Sequence, residues 1–197
     1  MDGFPILTAV VFTPALGALL LLFVPGGSHR AIRWLALAIA ILTFAFSLVL
    51  LGYDPSGSEF QFREDIPWID AFGMRYTLGV DGISVVLVLL TTLLSVVAIL
   101  YSWEPIKDRV KGYYVTMLLL MVGMLGVFVA LDLFLFYVFW EVSLFPMYFV
   151  IGIWGGPRRI YATVKFVIYT LVGSLLMLVA ILAVAIAHAA SGRSGSA

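Results

Sequence analysis

The sequence contains no cysteine, and only 11% of its 197 residues carry a charged side chain. Without thiolates the chain can form neither disulfide bonds nor thiolate-ligated zinc or iron–sulfur sites. Lysine plus arginine and aspartate plus glutamate each number 11, so the net charge is zero and no broad basic field attracts nucleic acid. Neither a Walker loop nor a dinucleotide-binding glycine pattern is present. These absences argue against nucleic-acid binding and against nucleotide binding through a known motif.

Hydrophobic residues make up 63% of the chain, and its mean hydropathy is +1.15. A typical soluble domain is about half apolar and roughly a quarter charged. A soluble fold of this length could not bury so large an apolar fraction, whereas a lipid bilayer solvates it. The composition therefore predicts an integral membrane protein.

Six long apolar runs are separated by more polar stretches, at residues about 4–24, 34–51, 83–103, 112–131, 133–153 and 160–187. Each approaches the roughly 20 residues with which a helix crosses about 30 Å of hydrocarbon, where backbone groups must be satisfied internally. We therefore predict an all-α membrane protein, with a bundle of about six transmembrane helices in a single domain over residues 1–190 and a polar tail at 191–197. No basic residue precedes the first run, which we interpret as a permanent helix rather than a cleaved signal peptide.

Basic residues are distributed unevenly between the two sets of loops. The loops after the first, third and fifth runs hold Arg30, Arg33, Lys107, Arg109, Lys111, Arg158 and Arg159, whereas the opposite side holds Arg63, Arg75 and Arg193. Because positively charged loops tend to face the cytoplasm, we predict that the N-terminus lies outside and that residues 53–82 form an external loop. Aromatic residues among the charges of this loop indicate an ordered interfacial segment, and Pro67 argues against a long helix there.

Glu141 lies about midway along the fifth apolar run, which at 1.5 Å per residue places it near the centre of the bilayer. A charge there costs about 2.5–3.5 kcal/mol on insertion scales, and hydrocarbon favours the neutral acid. A carboxyl that gains and loses its proton as a neighbouring charge moves is what a proton relay requires. The alternative is a protonated glutamic acid that only bonds a neighbouring helix.

Other residues of the fifth run are predicted to place polar groups near Glu141. At 100° per residue, Tyr137 and Tyr148 lie within about 40° of Glu141 on the same helix face. Pro146 has no N–H, so the carbonyl of Val142 lacks its usual helical donor, and water or a neighbouring helix could take that place. This setting favours the proton relay.

Three further charged residues are weaker candidates. Lys165 lies about one turn into the sixth run, on the face of Tyr161 and Tyr169. It either takes part in the relay or extends its ammonium group to the positively charged side of the membrane. Asp132 separates the fourth and fifth runs, where it either supports the relay or caps the fifth helix, and Asp81 could likewise cap the third helix.

Several motifs together indicate a family. Tyr76–Ser84 reads YTLGVDGIS, the fifth run contains Phe-Trp-Glu141 followed by Pro146-Met-Tyr148, and Trp154-Gly-Gly closes that run. The sixth run, from Lys165 to Leu178, completes the set. These stretches resemble the antiporter-like membrane subunits of respiratory complex I, most of all the branch called subunit M in bacterial NADH–quinone oxidoreductase and chain 4 in mitochondria. The resemblance covers nearly the whole chain.

This resemblance implies a larger fold. Members of the family have about fourteen helices with two inverted five-helix repeats, each containing one broken helix. The six predicted helices would form the N-terminal part of that fold, so the chain is expected to be a fragment that does not pump alone. The family's fifth-helix glutamate matches Glu141. Its lysine partner lies on a broken seventh helix that this sequence lacks, and that role is not carried over to Lys165.

The resemblance also implies a function, namely proton translocation as a subunit of the enzyme NADH–quinone oxidoreductase, with the redox chemistry outside this chain. NADH, FMN, iron–sulfur clusters and quinone are expected in partner subunits, and no cofactor or metal is expected here. The expected partners are the lipid bilayer and other membrane subunits of complex I, especially neighbouring antiporter-like subunits, with no nucleic acid. The expected location is the bacterial inner (plasma) membrane, or the mitochondrial inner membrane if the gene is organellar.

Two alternatives to this function stay open at this point. The first is a subunit of a multisubunit sodium/proton antiporter or of a membrane-bound hydrogenase, in which Glu141 would serve equally well. The second is a non-transporting membrane scaffold, in which Glu141 only holds helices together.

Overall fold

The computed structural model describes residues 5–57, 60–69 and 74–194. Six helices in these ranges are long and apolar enough to cross a membrane, which confirms the predicted helical bundle. They are α1 (Ile6–Phe23), α2 (His29–Ser47, continued by a 3-10 turn over Leu48–Gly52), α3 (Gly82–Tyr101), α4 (Val110–Val129), α5 (Leu133–Trp154) and α6 (Arg159–Ser194). Helix α6 therefore continues into the predicted polar tail, while residues 195–197 and Phe4, at the predicted start of the first helix, lie outside the described ranges.

Helix α4 occupies the centre of the bundle. Half of it is buried, and it packs against α1, α2, α3 and α5. Its two ends belong to two apolar clusters, one containing Leu125 and Val129 and the other containing Tyr114 and Leu118. Helix α5 lies between α4 and α6, and α6 is exposed along most of its length. The fifth and sixth helices, which carry the candidate site, thus form one side of the bundle.

Two glycines bring α4 unusually close to α5. A Cβ atom at Gly123 would lie 2.6 Å from the Cβ of Ser143 and 2.7 Å from its backbone nitrogen. A Cβ atom at Gly126 would overlap the ring of Phe139. Small residues that allow such close backbone approach are a common basis of helix association in membranes. This contact fixes the rotation of α5 and therefore the direction in which Glu141 points.

The loop between α2 and α3 contains a β-hairpin that the all-α prediction did not include. Strand β1 (Gln61–Ile69) pairs with the antiparallel strand β2 (Met74–Val80). Pro67 is tolerated because both strands of a two-stranded sheet are edge strands. Leu78 and Val80 are fully buried, and the amide of Leu131 donates to the Thr77 carbonyl at 2.9 Å. The hairpin thus attaches to the connection between α4 and α5, at the end where α5 begins.

Glu64 of the hairpin supplies the cap for the first helix. Helix α1 has no side-chain cap of its own at Pro5. Instead, the Glu64 carboxylate accepts from the Leu7 amide at 2.7 Å and from both the amide and the hydroxyl of Thr8. The hydroxyl of Tyr76 lies 2.9 Å from that of Thr8, and burial raises the pKa of Tyr76, which keeps this phenol protonated. A carboxylate at a helix N-terminus satisfies orphan N–H groups and complements the helix dipole.

Replacing Glu64 with alanine is expected to lower the free energy of unfolding by about 1.5–3 kcal/mol, because hydrogen bonds to a charged acceptor are lost. Thermal unfolding in detergent would measure this change, and hydrogen exchange should increase at the start of α1. Glu104→Ala, which removes an exposed carboxylate, serves as the control. Equal stability of the two variants would show that the cap contributes nothing.

Candidate functional site

Asp132 occupies the N-terminal boundary of α5. Its carboxylate accepts from the amides of Phe134 and Leu135, both at 2.9 Å, and its carbonyl accepts from the amide of Phe136. Every polar contact described for Asp132 therefore belongs to a helix cap, which satisfies N–H groups that have no partner within the helix. The structure supports capping as the contribution of Asp132, and its suggested support of the relay stays a prediction.

Glu141 lies in the middle of α5. Its Oε1 atom is buried and has no hydrogen-bond partner among the described residues. A buried carboxyl oxygen without a partner carries a large desolvation penalty, so such groups are rare unless they are protonated or functional. Within the described ranges, no group of three or more His, Asp or Glu residues could hold a metal ion.

Tyr137 lies beside Glu141 on the side of α5 that faces the sixth helix. Its phenol is near both the Glu141 carboxyl and the hydroxyl of Ser174. Ser174 is only 3% exposed and also donates to the carbonyl of Leu171 within α6. The structure therefore places Glu141, Tyr137 and Ser174 in one row that runs from α5 to α6, and hydroxyl groups in such a row can both donate and accept.

The packing of α5 against α4 explains why this row faces α6. Phe139 and Ser143 contact the two glycines of α4. Glu141 is two residues away from each of them in sequence, which corresponds to a rotation of about 200° around the helix axis. Its side chain therefore points away from α4. Pro146 lies buried within the same helix and has no N–H to offer the carbonyl of Val142.

Tyr148 faces α6 beside Thr163, about 10 Å along α5 from Glu141, whereas Lys165 lies on another face of α6. Tyr148 is 43% exposed and contacts the ring of Phe149. Thr163, which is buried against Gly152, marks the face of α6 that meets α5. Lys165 follows two residues later and so points about 200° away, where its Nζ lies 5.6 Å from the ring centre of Tyr161. The structure thus brings Tyr137 to Glu141 but not Lys165, and the suggested roles of Tyr148 and Lys165 stay predictions.

Ser174 is the residue that sequence reasoning missed. A signal was available, because Ser174 stands eleven residues after Thr163 and eleven residues return to almost the same face of a helix. Two small hydroxyl residues on one face of an otherwise apolar helix indicate a helix–helix contact. The sequence did not show that this face meets α5 at the level of Tyr137.

Comparison with known proteins identifies a family. The family described as "NADH:quinone oxidoreductase/Mrp antiporter, TM" matches residues 130–192, which include α5 and most of α6. The "NADH-quinone oxidoreductase subunit M" of Rhodobacter capsulatus is 48% identical over 183 residues, which are 90% of this chain and 35% of that protein. The chain thus spans about a third of the length of the curated relatives it matches.

Solved structures show the same fold. A chain of respiratory complex I from Thermus thermophilus matches 89% of this chain with a TM-score of 0.76 and 30% identity, over 35% of its own length. A chain of the Mrp complex from Dietzia matches 89% of this chain with a TM-score of 0.71 and 22% identity, over 18% of its own length. At 22% identity the second match is evidence for the fold alone.

Proposed function

Because this chain belongs to the antiporter-like membrane subunits of the NADH:quinone oxidoreductase and Mrp antiporter family, we propose that it takes part in proton translocation by an NADH–quinone oxidoreductase. The chain is a multi-pass membrane protein. In this proposal it resides in the inner membrane of a bacterium, or of a mitochondrion if its gene is organellar.

The observation that carries the proposal is the buried, unpartnered Oε1 of Glu141 in the middle of a transmembrane helix. An ionisable residue at this depth is costly, and such residues commonly mark ion pathways. The protonation state of a buried carboxyl depends on the charges that approach it. In the proposal, Glu141 is the group that takes up and passes on the translocated proton.

In this proposal, the row from Glu141 to Ser174 determines the side of α5 along which the proton moves. Tyr137 can accept a hydrogen bond from the protonated carboxyl while donating its own to Ser174. The order reverses when the carboxyl is ionised. In the proposal, Tyr137 keeps the Glu141 carboxyl oriented towards α6, and the proton moves along that side of α5 rather than towards α4.

The redox chemistry in this proposal belongs to partner subunits. NADH, FMN, iron–sulfur clusters and quinone bind there, and other membrane subunits, especially antiporter-like neighbours, transmit the driving force to Glu141. The 48% identity to a subunit of NADH–quinone oxidoreductase favours this assembly over the Mrp antiporter, whose solved chain is 22% identical and therefore similar in fold alone. The decisive experiment is proton translocation by an assembled complex that carries Glu141→Gln, measured together with quinone reduction.

Asp132→Asn is expected to leave both stability and proton translocation close to normal, because an amide oxygen can still cap α5. Asp132→Ala is expected to lower the free energy of unfolding by about 1 kcal/mol through loss of the cap. Unfolding midpoints and proton uptake by reconstituted complex would be measured for both variants. A stable Asp132→Asn complex with greatly reduced proton uptake would instead place Asp132 in the relay.

A further inference from the structure

A polar cavity of about 710 Å³ opens at the end of the bundle opposite the hairpin. Its walls are the loop between α3 and α4, residues 105–109, and the end of α5 with the start of α6. The indole of Trp154 donates to the carbonyl of Asp108 at 2.9 Å, which joins the two walls. The cavity is thus built from two segments held together, and the relay at Glu141 uses none of its residues.

Three cations line this cavity. They are Lys107, Arg109 and Arg159, accompanied by the single carboxylate of Asp108. None of the three forms an ion pair within 4.0 Å in the part of the chain that the structure describes. Arg159 is held in place because its guanidinium donates to the carbonyl of Ile153 at 2.9 Å. The cavity therefore offers positive charge that no described carboxylate neutralises by an ion pair.

An apolar groove of about 280 Å³ continues from the cavity between α4 and α5. The groove and the cavity share Arg109, Ile153 and Trp154. On α4 the groove extends from Gly112 to Leu119, which is about 10 Å along the helix. It runs towards the level at which Gly123 and Ser143 bring the two helices together.

The position of the cavity along the membrane normal matches that of lipid head groups. It lies where α4 begins and where α5 ends. The rings of Trp154 and Tyr113 pack edge to face there. Tryptophan and tyrosine are enriched at the membrane–water boundary. The groove, in contrast, lies within the transmembrane spans, at the depth of acyl chains.

From this arrangement we propose that the chain binds one anionic phospholipid, with its phosphate among Lys107, Arg109 and Arg159 and one acyl chain in the groove between α4 and α5. Basic pockets beside transmembrane helices bind anionic head groups, and each nearby cation contributes about fivefold to affinity. A free phosphate ion would bind only to the cations and would leave the groove empty. The continuous apolar groove is what favours a lipid over a soluble anion.

The experiment measures quenching of tryptophan fluorescence by brominated lipids, with the full 197-residue chain in nanodiscs. The contribution of Trp154 is the difference between the unmodified chain and Trp154→Phe. Brominated phosphatidylglycerol is expected to quench Trp154 more strongly than brominated phosphatidylcholine. Combining Lys107→Gln with Arg109→Gln should weaken phosphatidylglycerol binding about 25-fold. Arg30→Gln, which removes an exposed cation outside the cavity, should leave binding nearly unchanged.

Thr116→Phe tests the groove, because the larger side chain fills it while all three cations remain. This variant is expected to lose Trp154 quenching by phosphatidylglycerol, with its helical circular dichroism unchanged. Excess inorganic phosphate should not displace the lipid. Equal quenching by the two lipids, displacement by inorganic phosphate, or an Arg30→Gln effect as large as that of the double variant would overturn the proposal.

Discussion

An assembled complex that carries Glu141→Gln is expected to lose at least about tenfold in proton translocation, because positioned acid–base groups typically contribute more than that. Glutamine has nearly the same shape as glutamic acid but cannot release a proton. It also carries no charge at mid-membrane depth, so assembly should be normal. The measurement is acidification of vesicles driven by NADH oxidation, with the amount of assembled complex determined in parallel.

Two controls separate loss of the proton from loss of structure. Glu104→Gln makes the same chemical change at an exposed position and should translocate protons normally. Tyr137→Phe keeps the ring but removes the hydroxyl that lies near both Glu141 and Ser174, so it should show an intermediate reduction. Normal translocation by a correctly assembled Glu141→Gln complex would contradict the proposed function. If Glu141→Gln instead prevented assembly, while any complex that did form translocated protons normally, Glu141 would be a scaffold residue.

The helical part of the fold could be predicted from the sequence because hydrocarbon imposes a simple requirement. Backbone groups cannot be left open in lipid, so each long apolar run has one favourable conformation. The depth of Glu141 followed from the same rule, since a constant rise per residue converts position in the run into depth. Its neighbour Tyr137 followed from helical periodicity, and the structure brings the two together.

The hairpin could not be predicted in this way, because its contacts are distant in sequence. Strand β1 contains Pro67 and four charged or amide side chains, which give a weak local strand signal. The strand is stabilised instead by the contact of Glu64 with α1 and by the pairing of β2 with Leu131. Ser174 was missed for a related reason, since its place beside Tyr137 depends on how the two antiparallel helices are aligned.

Gly123→Ala is expected to lower the free energy of unfolding by about 3 kcal/mol, at the upper end of overpacking effects. The added methyl group would lie 2.7 Å from the Cα and the backbone nitrogen of Ser143. Backbone atoms cannot move aside by changing rotamer, so α5 must shift away from α4. Reversible unfolding in detergent would measure the loss, and proton translocation should fall as well because Glu141 moves with α5.

Gly173→Ala is the matched control, because it makes the same substitution in a transmembrane helix where no atom beyond the adjacent residues and the helix's own backbone lies within 4 Å of the new Cβ. Alanine is a better helix former than glycine by about 1 kcal/mol, so this variant should be as stable as the original chain or more so. Adding Ser143→Gly to Gly123→Ala removes the Cβ contact at 2.6 Å but leaves both backbone contacts, so rescue should be partial. If Gly123→Ala matched Gly173→Ala in stability, close approach of α4 and α5 would not be what fixes the direction of Glu141.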